Sequence, residues 1–217
     1  MPMNIRLRKA ELVPQLELVR PKLLLHAPGD ELALQVAHET STQAETVNGF
    51  GDGRLRLATN SSTSAASGAP LCKEIDAEAP AALLFTSGTT GSAKAAVLSI
   101  RAFQASARAS AALLGVESDD EWLACMPLFH IGGLSILVRS VLGGTSVRIH
   151  SGFDVAAVSA DLDSGRASQI SLVATMLHRL LEERGERPLP GRLRTVLLGG
   201  GPCATSVLER ALALGYP

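Results

Sequence analysis

From Ala81 onward, short apolar runs alternate with stretches whose apolar residues recur every three or four positions. The first pattern is that of buried strands, the second that of one helix face. "AALLF" (81–85) predicts a buried strand, and Ser99 to Leu114 a helix with Phe103, Ala107, Ala111 and Leu114 on one face. "WLAC" (122–125) is strand-like, "GLSILVRSVL" (133–142) is helical and "SVRI" (146–149) is a strand. Asp154 is placed to cap a helix carrying Val155, Val158 and Leu162, with Gly165 as its stop. "QISLV" (169–173) predicts a strand, followed by a helix from Thr175 to about Arg184. "RTVLL" (194–198) predicts a strand that runs into "GGGP", and Ser206-x-x-Glu209 predicts a capping box opening the last helix. This β–α alternation predicts an α/β fold, a mostly parallel sheet flanked by helices.

Residues 1–80 are less regular. Residues 9–20 read as a helix and "KLLLHA" (22–27) as a strand, while "NSSTSAASGAP" (60–70) has the composition of a surface loop. The expected organisation is therefore an N-terminal segment, 1–80, and a core, 81–217. With 46% hydrophobic and 19% charged residues, the 217-residue chain can bury a real core. Aromatics are only 3%, which suits small residues at helix–sheet contacts better than an all-β sandwich.

Charge removes some function classes. Twenty basic residues against 21 acidic leave no surplus for nucleic acid or an anionic membrane. Cys72, Cys125 and Cys203 are far apart and form no C-x-x-C pair, so reduced and mostly buried thiols are expected, with no metal site. The charged N-terminus lacks the apolar stretch of a signal peptide, and no run approaches the ~20 apolar residues of a membrane span. A cytoplasmic protein is the expectation.

The chemistry concentrates at "TSGTTGSAK" (86–94), directly after the apolar "AALLF". Glycines let a main chain fold tightly around an anion. The hydroxyls of Thr86, Ser87, Thr89 and Thr90 can donate to phosphate oxygens, and Lys94 adds a point charge. The spacing is not that of a Walker A loop: Lys94 follows Gly91 by three residues, and Ala95 stands where a magnesium-binding hydroxyl would be. On composition alone, a phosphate loop and a polar turn both remain open. His130 alone would be a structural histidine, and "GGGP" alone a tight strand–helix turn. "HIGG" could suggest a hydrolase turn, but no G-x-S-x-G elbow exists in the chain. His26, His38, His150 and His178 have no partners at metal-ligand spacing and read as structural or exposed.

"FTSGTTGSAK" resembles the phosphate-loop signature of the adenylate-forming superfamily of acyl-CoA synthetases, luciferases and adenylation domains, with Ala93 and Ala95 in place of the usual Pro and Gly. "DEWLACMPLFHIGGL" (120–134) and "RTVLLGGGPCATSVLERALALGYP" (194–217) resemble two later blocks of that family, in the family order. "MPMNIRLRKAELVPQL" resembles its L-N-x-R-L segment, so the likeness covers nearly the whole chain and is weakest between about 28 and 80. Within the superfamily, "PLFHIGGLSILVRSVLGGTSV" and "LVATMLHRLLEE" look most like the o-succinylbenzoate–CoA ligases of menaquinone biosynthesis.

The resemblance implies a carboxylate attacking the α-phosphorus of ATP, followed by thioester formation with coenzyme A. Thr86, Ser87, Gly88, Thr89, Thr90, Gly91 and Lys94 would hold the β- and γ-phosphates with Mg2+ nearby. His130 would stand beside the carboxylate and α-phosphate, with Lys94 as the second catalytic candidate. Gly199, Gly200, Gly201 and Pro202 would line the adenine and acyl pocket. The partners implied are a small carboxylic acid, ATP and coenzyme A, with a second chain or a homo-oligomer as further possibilities.

By the same resemblance, residues 81–217 are an AMP-binding core from the middle of a large domain. The family's Tyr-Gly-x-Thr-Glu motif and C-terminal domain would lie beyond Pro217, so the 217 residues alone are expected to be weakly active or inactive. A non-catalytic nucleotide-binding or interaction module of the same ancestry is the alternative, favoured by the Ala93 and Ala95 departures.

Overall fold

The computed structural model describes residues 1–48, 56–58, 74–86, 94–189 and 191–217. They form two compact units, one of residues 3–75 with 85–96, the other of 1–2, 76–84 and 97–217.

In the first unit, α1 (Lys9–Val19) and α2 (Glu31–Glu39) accompany a three-stranded sheet of β1 (Leu23–His26), β2 (Gln43–Asn48) and β3 (Arg56–Ala58). β1 and β2 are parallel, β2 and β3 antiparallel. Leu12, Val13 and Leu16 from α1 bury against Leu24, Val36 and Ala37. Glu11 accepts from the Arg8 N–H at 2.9 Å and Asp30 from the Ala33 N–H at 2.9 Å, satisfying donors that helix starts leave free. His26 is buried, its Nδ1 donating to Ala27 O at 2.8 Å, which is a structural role.

β4 (Pro80–Thr86) pairs with β5 (Lys94–Ser99) in a separate two-stranded sheet. "AALLF" is thus a strand, but only Leu84 in it is buried. The buried-strand expectation fails because this run lies outside the parallel sheet, whose central strands are covered on both faces.

The second unit is built on a four-stranded parallel sheet, ordered β7-β6-β8-β9. The strands are β6 (Glu121–Ala124), β7 (Ser146–Ile149), β8 (Gln169–Val173) and β9 (Thr195–Gly199). Successive side chains alternate between faces, as a strand requires. Leu123, Cys125, Ile170 and Leu172 point into a core with α5 (Val155–Asp163), α6 (Ala174–Arg184) and α7 (Thr205–Ala213). Trp122 and Ala124 point the other way, toward Ile136 of α4 (Ile131–Gly143) and Leu114 of α3 (Ile100–Leu114). The sheet is thus covered on both faces.

The caps follow the sequence closely at α3 and α5. Ser99 accepts from the Ala102 N–H at 3.2 Å, and Asp154 from the Ala157 N–H at 2.8 Å. The chain leaves α5 through Gly165 at φ +66°, a left-handed value that glycine adopts without a Cβ clash. Asp154→Ala should cost about 1 kcal/mol of stability in chemical denaturation, the usual value of a lost N-cap. At α7 the expected capping box is absent. Ala204 is the N-cap and makes no side-chain bond, so Ser206 lies inside the first turn rather than before it.

Cys125 is buried among the core residues, and burial pushes its thiol up to about 11, which keeps it a neutral packing group. Cys125 and Cys203 are both free thiols, and Cys72 lies outside the described residues, as do residues 60–70.

Candidate functional site

The topology itself marks a place for a ligand. From β6 the chain passes through α4 to β7 on one side, and from β8 through α6 to β9 on the other. α4 lies on the Trp122 face and α6 on the Leu123 face. β6 and β8 are adjacent, so their outgoing connections diverge to opposite faces of the sheet. In open parallel sheets, ligands bind in the crevice at the carboxyl ends of two such strands.

Two sequence candidates sit at that edge. After β6, Met126–Phe129 lead to His130, which is the N-cap of α4 and is exposed. Its ring lies against Phe129, with centroids 4.5 Å apart. The His130 N–H donates to Pro127 O at 3.2 Å, and its own carbonyl accepts from Gly133 and Leu134 N–H at 3.1 and 3.0 Å. Helix start and preceding turn are therefore one unit. Gly133 is what permits it, because a Cβ there would stand 2.3 Å from Pro127 O.

One strand further along, β9 ends at Gly199 and continues through Gly200, Gly201 and Pro202, all exposed, into α7. Gly200 has φ +82°, and a Cβ on it would meet Val173 Cγ1 at 3.1 Å. Val173 is the last residue of β8 and pairs in register with Gly199. Adjacent strands lie ~4.8 Å apart, so the ends of β6 and β9 are separated by roughly 10 Å with β8 between them. None of α4, α6 and α7 has a side-chain cap, which leaves main-chain N–H groups at their first turns, on this edge, without side-chain acceptors.

The remaining candidates belong to the β4–β5 hairpin. Thr86 ends β4, Lys94 begins β5, and both are exposed. Thr86 Oγ1 donates to Lys94 O at 3.4 Å, so the two ends of the glycine-rich loop are held together. Ser87, Gly88, Thr89, Thr90 and Gly91 lie outside the described residues.

The other histidines behave as expected. His150 Nε2 lies 2.6 Å from Asp161 Oδ2, and His38 and His178 are exposed. Among the described residues no group of three or more His, Cys, Asp or Glu is placed to hold a metal. No described helix is long and apolar enough to cross a membrane.

Sequence reasoning missed Val173 and Met126. Val173 supports the Gly200 turn, and the Met126 side chain closes over Gly132, where a Cβ would meet its Cε at 2.9 Å. Their signal was position alone, immediately beside the motif residues.

A family model described as "AMP-binding enzyme" matches residues 1–217. The chain is 42% identical over 142 residues to a 2-succinylbenzoate–CoA ligase of Enterococcus faecalis, covering 65% of the chain and 29% of that relative. It is 44% identical over 139 residues to one from Listeria innocua, covering 64% and 30%. The chain thus spans about 30% of the length of the curated relatives it matches.

Among solved structures, o-succinylbenzoate coenzyme A synthetase of Bacillus subtilis in complex with ATP and magnesium superposes with a TM-score of 0.81 at 31% identity, covering 99% of this chain and 42% of that one. The same synthetase with an acyl-adenylate intermediate gives 0.79 at 31%, covering 99% and 52%. The α/β architecture described above is that of these adenylate-forming enzymes.

Proposed function

Since the chain belongs to the AMP-binding enzyme family, we propose that it serves an ATP-dependent acid–CoA ligase, with o-succinylbenzoate as the carboxylate and menaquinone biosynthesis as the setting. The observation that carries this reading is the meeting of "PLFHIGG" and "LLGGGP" at one edge of the parallel sheet, at the switch point between β6 and β8.

In this reading the carboxylate oxygen attacks the α-phosphorus of ATP and pyrophosphate leaves. The thiol of coenzyme A then attacks the acyl carbon and AMP leaves. Phosphoryl transfer of this kind depends on positioning and charge neutralisation. Thr86, Lys94 and the loop between them hold the β- and γ-phosphates, with Lys94 as the positive charge. His130, fixed by its helix-start backbone bonds, faces the reacting carboxylate and α-phosphate. Gly199 to Pro202 form a surface without bulky side chains against which an adenine ring can lie flat. Magnesium accompanies the nucleotide in this reading and would neutralise phosphate charge there. The protein works in the cytoplasm.

The test is AMP release from ATP and coenzyme A with a panel of aromatic and aliphatic acids, run on the protein in its full reading frame. Preference for o-succinylbenzoate supports the proposal. Nucleotide binding without AMP release from any acid would instead identify a non-catalytic module.

A further inference from the structure

A cavity of about 240 Å3 opens on the α3–α4 face of the second unit. It lies at the amino ends of β6 and β8, beside Asp120 and Gln169, whereas His130 and Gly199 follow the strands' carboxyl ends. At ~3.3 Å per residue, strands of this length put the two places roughly 15 Å apart.

Its walls are Ala107, Ala111, Leu114 and Leu142, and Trp122 forms the floor. Into this apolar space comes Arg139, whose guanidinium carbon lies 4.5 Å from the Trp122 ring centroid. Arg139 has no carboxylate partner among the described residues. Its Nε is covered without an acceptor, and Nη1 reaches only Ser110 Oγ at 3.3 Å.

Among the described residues, the one acid in the cavity wall is already committed. Asp120 accepts from Ser168 Oγ at 2.7 Å, Gln169 Nε2 at 2.8 Å, the Glu117 N–H at 2.9 Å and Arg194 Nε at 3.0 Å, and it pairs with Arg194 Nη2 as well. Arg108, also in the wall, is exposed and has no ion-pair partner among the described residues. Among the described residues the cavity therefore carries two arginines without a free carboxylate partner, Arg139 partly buried and Arg108 exposed, on a lining that is mainly apolar but includes Ser110, Thr145 and Gln169. Burial alone disfavours the charged form of Arg139, so an incoming anion would relieve a desolvation cost that is already present.

We propose that this cavity is a second ligand site, separate from the nucleotide edge, which takes a small carboxylate with an apolar body. The planar guanidinium fork matches a carboxylate in two hydrogen bonds, better than it would hold a spherical anion. The walls favour a ligand with an apolar part, which argues against free phosphate. The volume falls below the ~300–1,000 Å3 of sites for drug-sized molecules, so the ligand is compact.

Trp122 is the single tryptophan of the chain, so its fluorescence reports on this cavity directly. The experiment titrates the protein with benzoate, with neutral benzamide of the same shape, and with inorganic phosphate. Benzoate should change the Trp122 emission saturably, and the two controls should need at least about tenfold higher concentration, the worth of a charge-assisted hydrogen bond. Arg139→Gln should weaken benzoate by a similar factor. Leu142→Glu, a change at a half-exposed wall position, should do the same by placing a carboxylate at the mouth of the cavity.

His130→Ala should leave benzoate binding unchanged, which separates this site from the proposed reaction centre. Benzamide matching benzoate, or no saturable benzoate response, overturns the proposal. So does wild-type binding by Leu142→Glu, which decides the matter if Arg139→Gln does not fold.

Discussion

Gly133→Ala is expected to destabilise the protein by about 3 kcal/mol, the upper range for forced overpacking, and to lower its melting temperature by roughly 6–12 °C. Helix propensity alone predicts the opposite sign, since alanine is about 1 kcal/mol better than glycine inside a helix. The close approach decides the sign. A Cβ at Gly133 would lie 2.3 Å from Pro127 O and 2.8 Å from Met126 O, both main-chain atoms that cannot swing away. Relief requires the Met126–Pro127 turn to move, and the His130 N–H to Pro127 O bond moves with it. Gly132→Ala is the matched control, because its Cβ meets only the flexible end of the Met126 side chain. Thermal melts of the two variants should differ by several degrees, and equal melts would remove Gly133 from the role given to it here.

Asp120→Ala should cost about 3–5 kcal/mol, the range for breaking a buried ion pair on one side. Asp120 is 2% exposed and ties together the turn before β6, the start of β8 and Arg194 before β9. Its removal leaves Arg194, Ser168 and Gln169 without their common acceptor.

The same group gives a pH signature. Burial by itself would raise the Asp120 carboxyl. The Arg194 hydrogen bond, the Glu117 N–H and Ser168 outweigh it and hold the group at about 2. A folded value below the unfolded ~3.9 means that the ionised form is favoured by folding. The contribution is fully present above about pH 4 and is lost as the pH falls toward 2, amounting to about 2 kcal/mol. Urea denaturation of wild type and Asp120→Ala should therefore converge by about that amount on acidification. A stability gap that stays constant from pH 6 to pH 2 would contradict the pairing.

The parallel sheet was legible because its strands are short, largely apolar or β-branched segments set between helical patterns and turn residues. β7 and β8 coincide with the predicted "SVRI" and "QISLV". β8 lies between β6 and β9 and is buried along most of its length, whereas β7 is an edge strand, only partly buried, and was legible from its β-branched residues Val147 and Ile149. The N-terminal unit was less so. β2, "QAETVN", is mostly polar and gives no periodic signal. α2 carries one that sequence reasoning missed: Asp30 caps it, and Leu32, Ala33, Val36 and Ala37 share one face. Ser206 misled because the capping-box spacing is satisfied by residues already inside α7, which the chain enters from Ala204.

The candidate site was legible only through its motifs. Nothing local to His130 or Gly199 indicates that their strands end on one edge; that follows from the order β7-β6-β8-β9. The cavity at Arg139 had no sequence signal at all, since Arg108, Trp122 and Arg139 come from three elements joined by packing.

The central claim is that the residues at the carboxyl edge of β6, β8 and β9 serve carboxylate adenylation. Exchange of labelled pyrophosphate into ATP, dependent on o-succinylbenzoate and measured without coenzyme A on the protein in its full reading frame, tests it most directly. The expected result is exchange that requires the acid and falls about 100-fold or more in His130→Ala and in Lys94→Ala, the scale of a lost charge-stabilising contact. Exchange that is absent with every carboxylate, or unchanged in both variants, would contradict it.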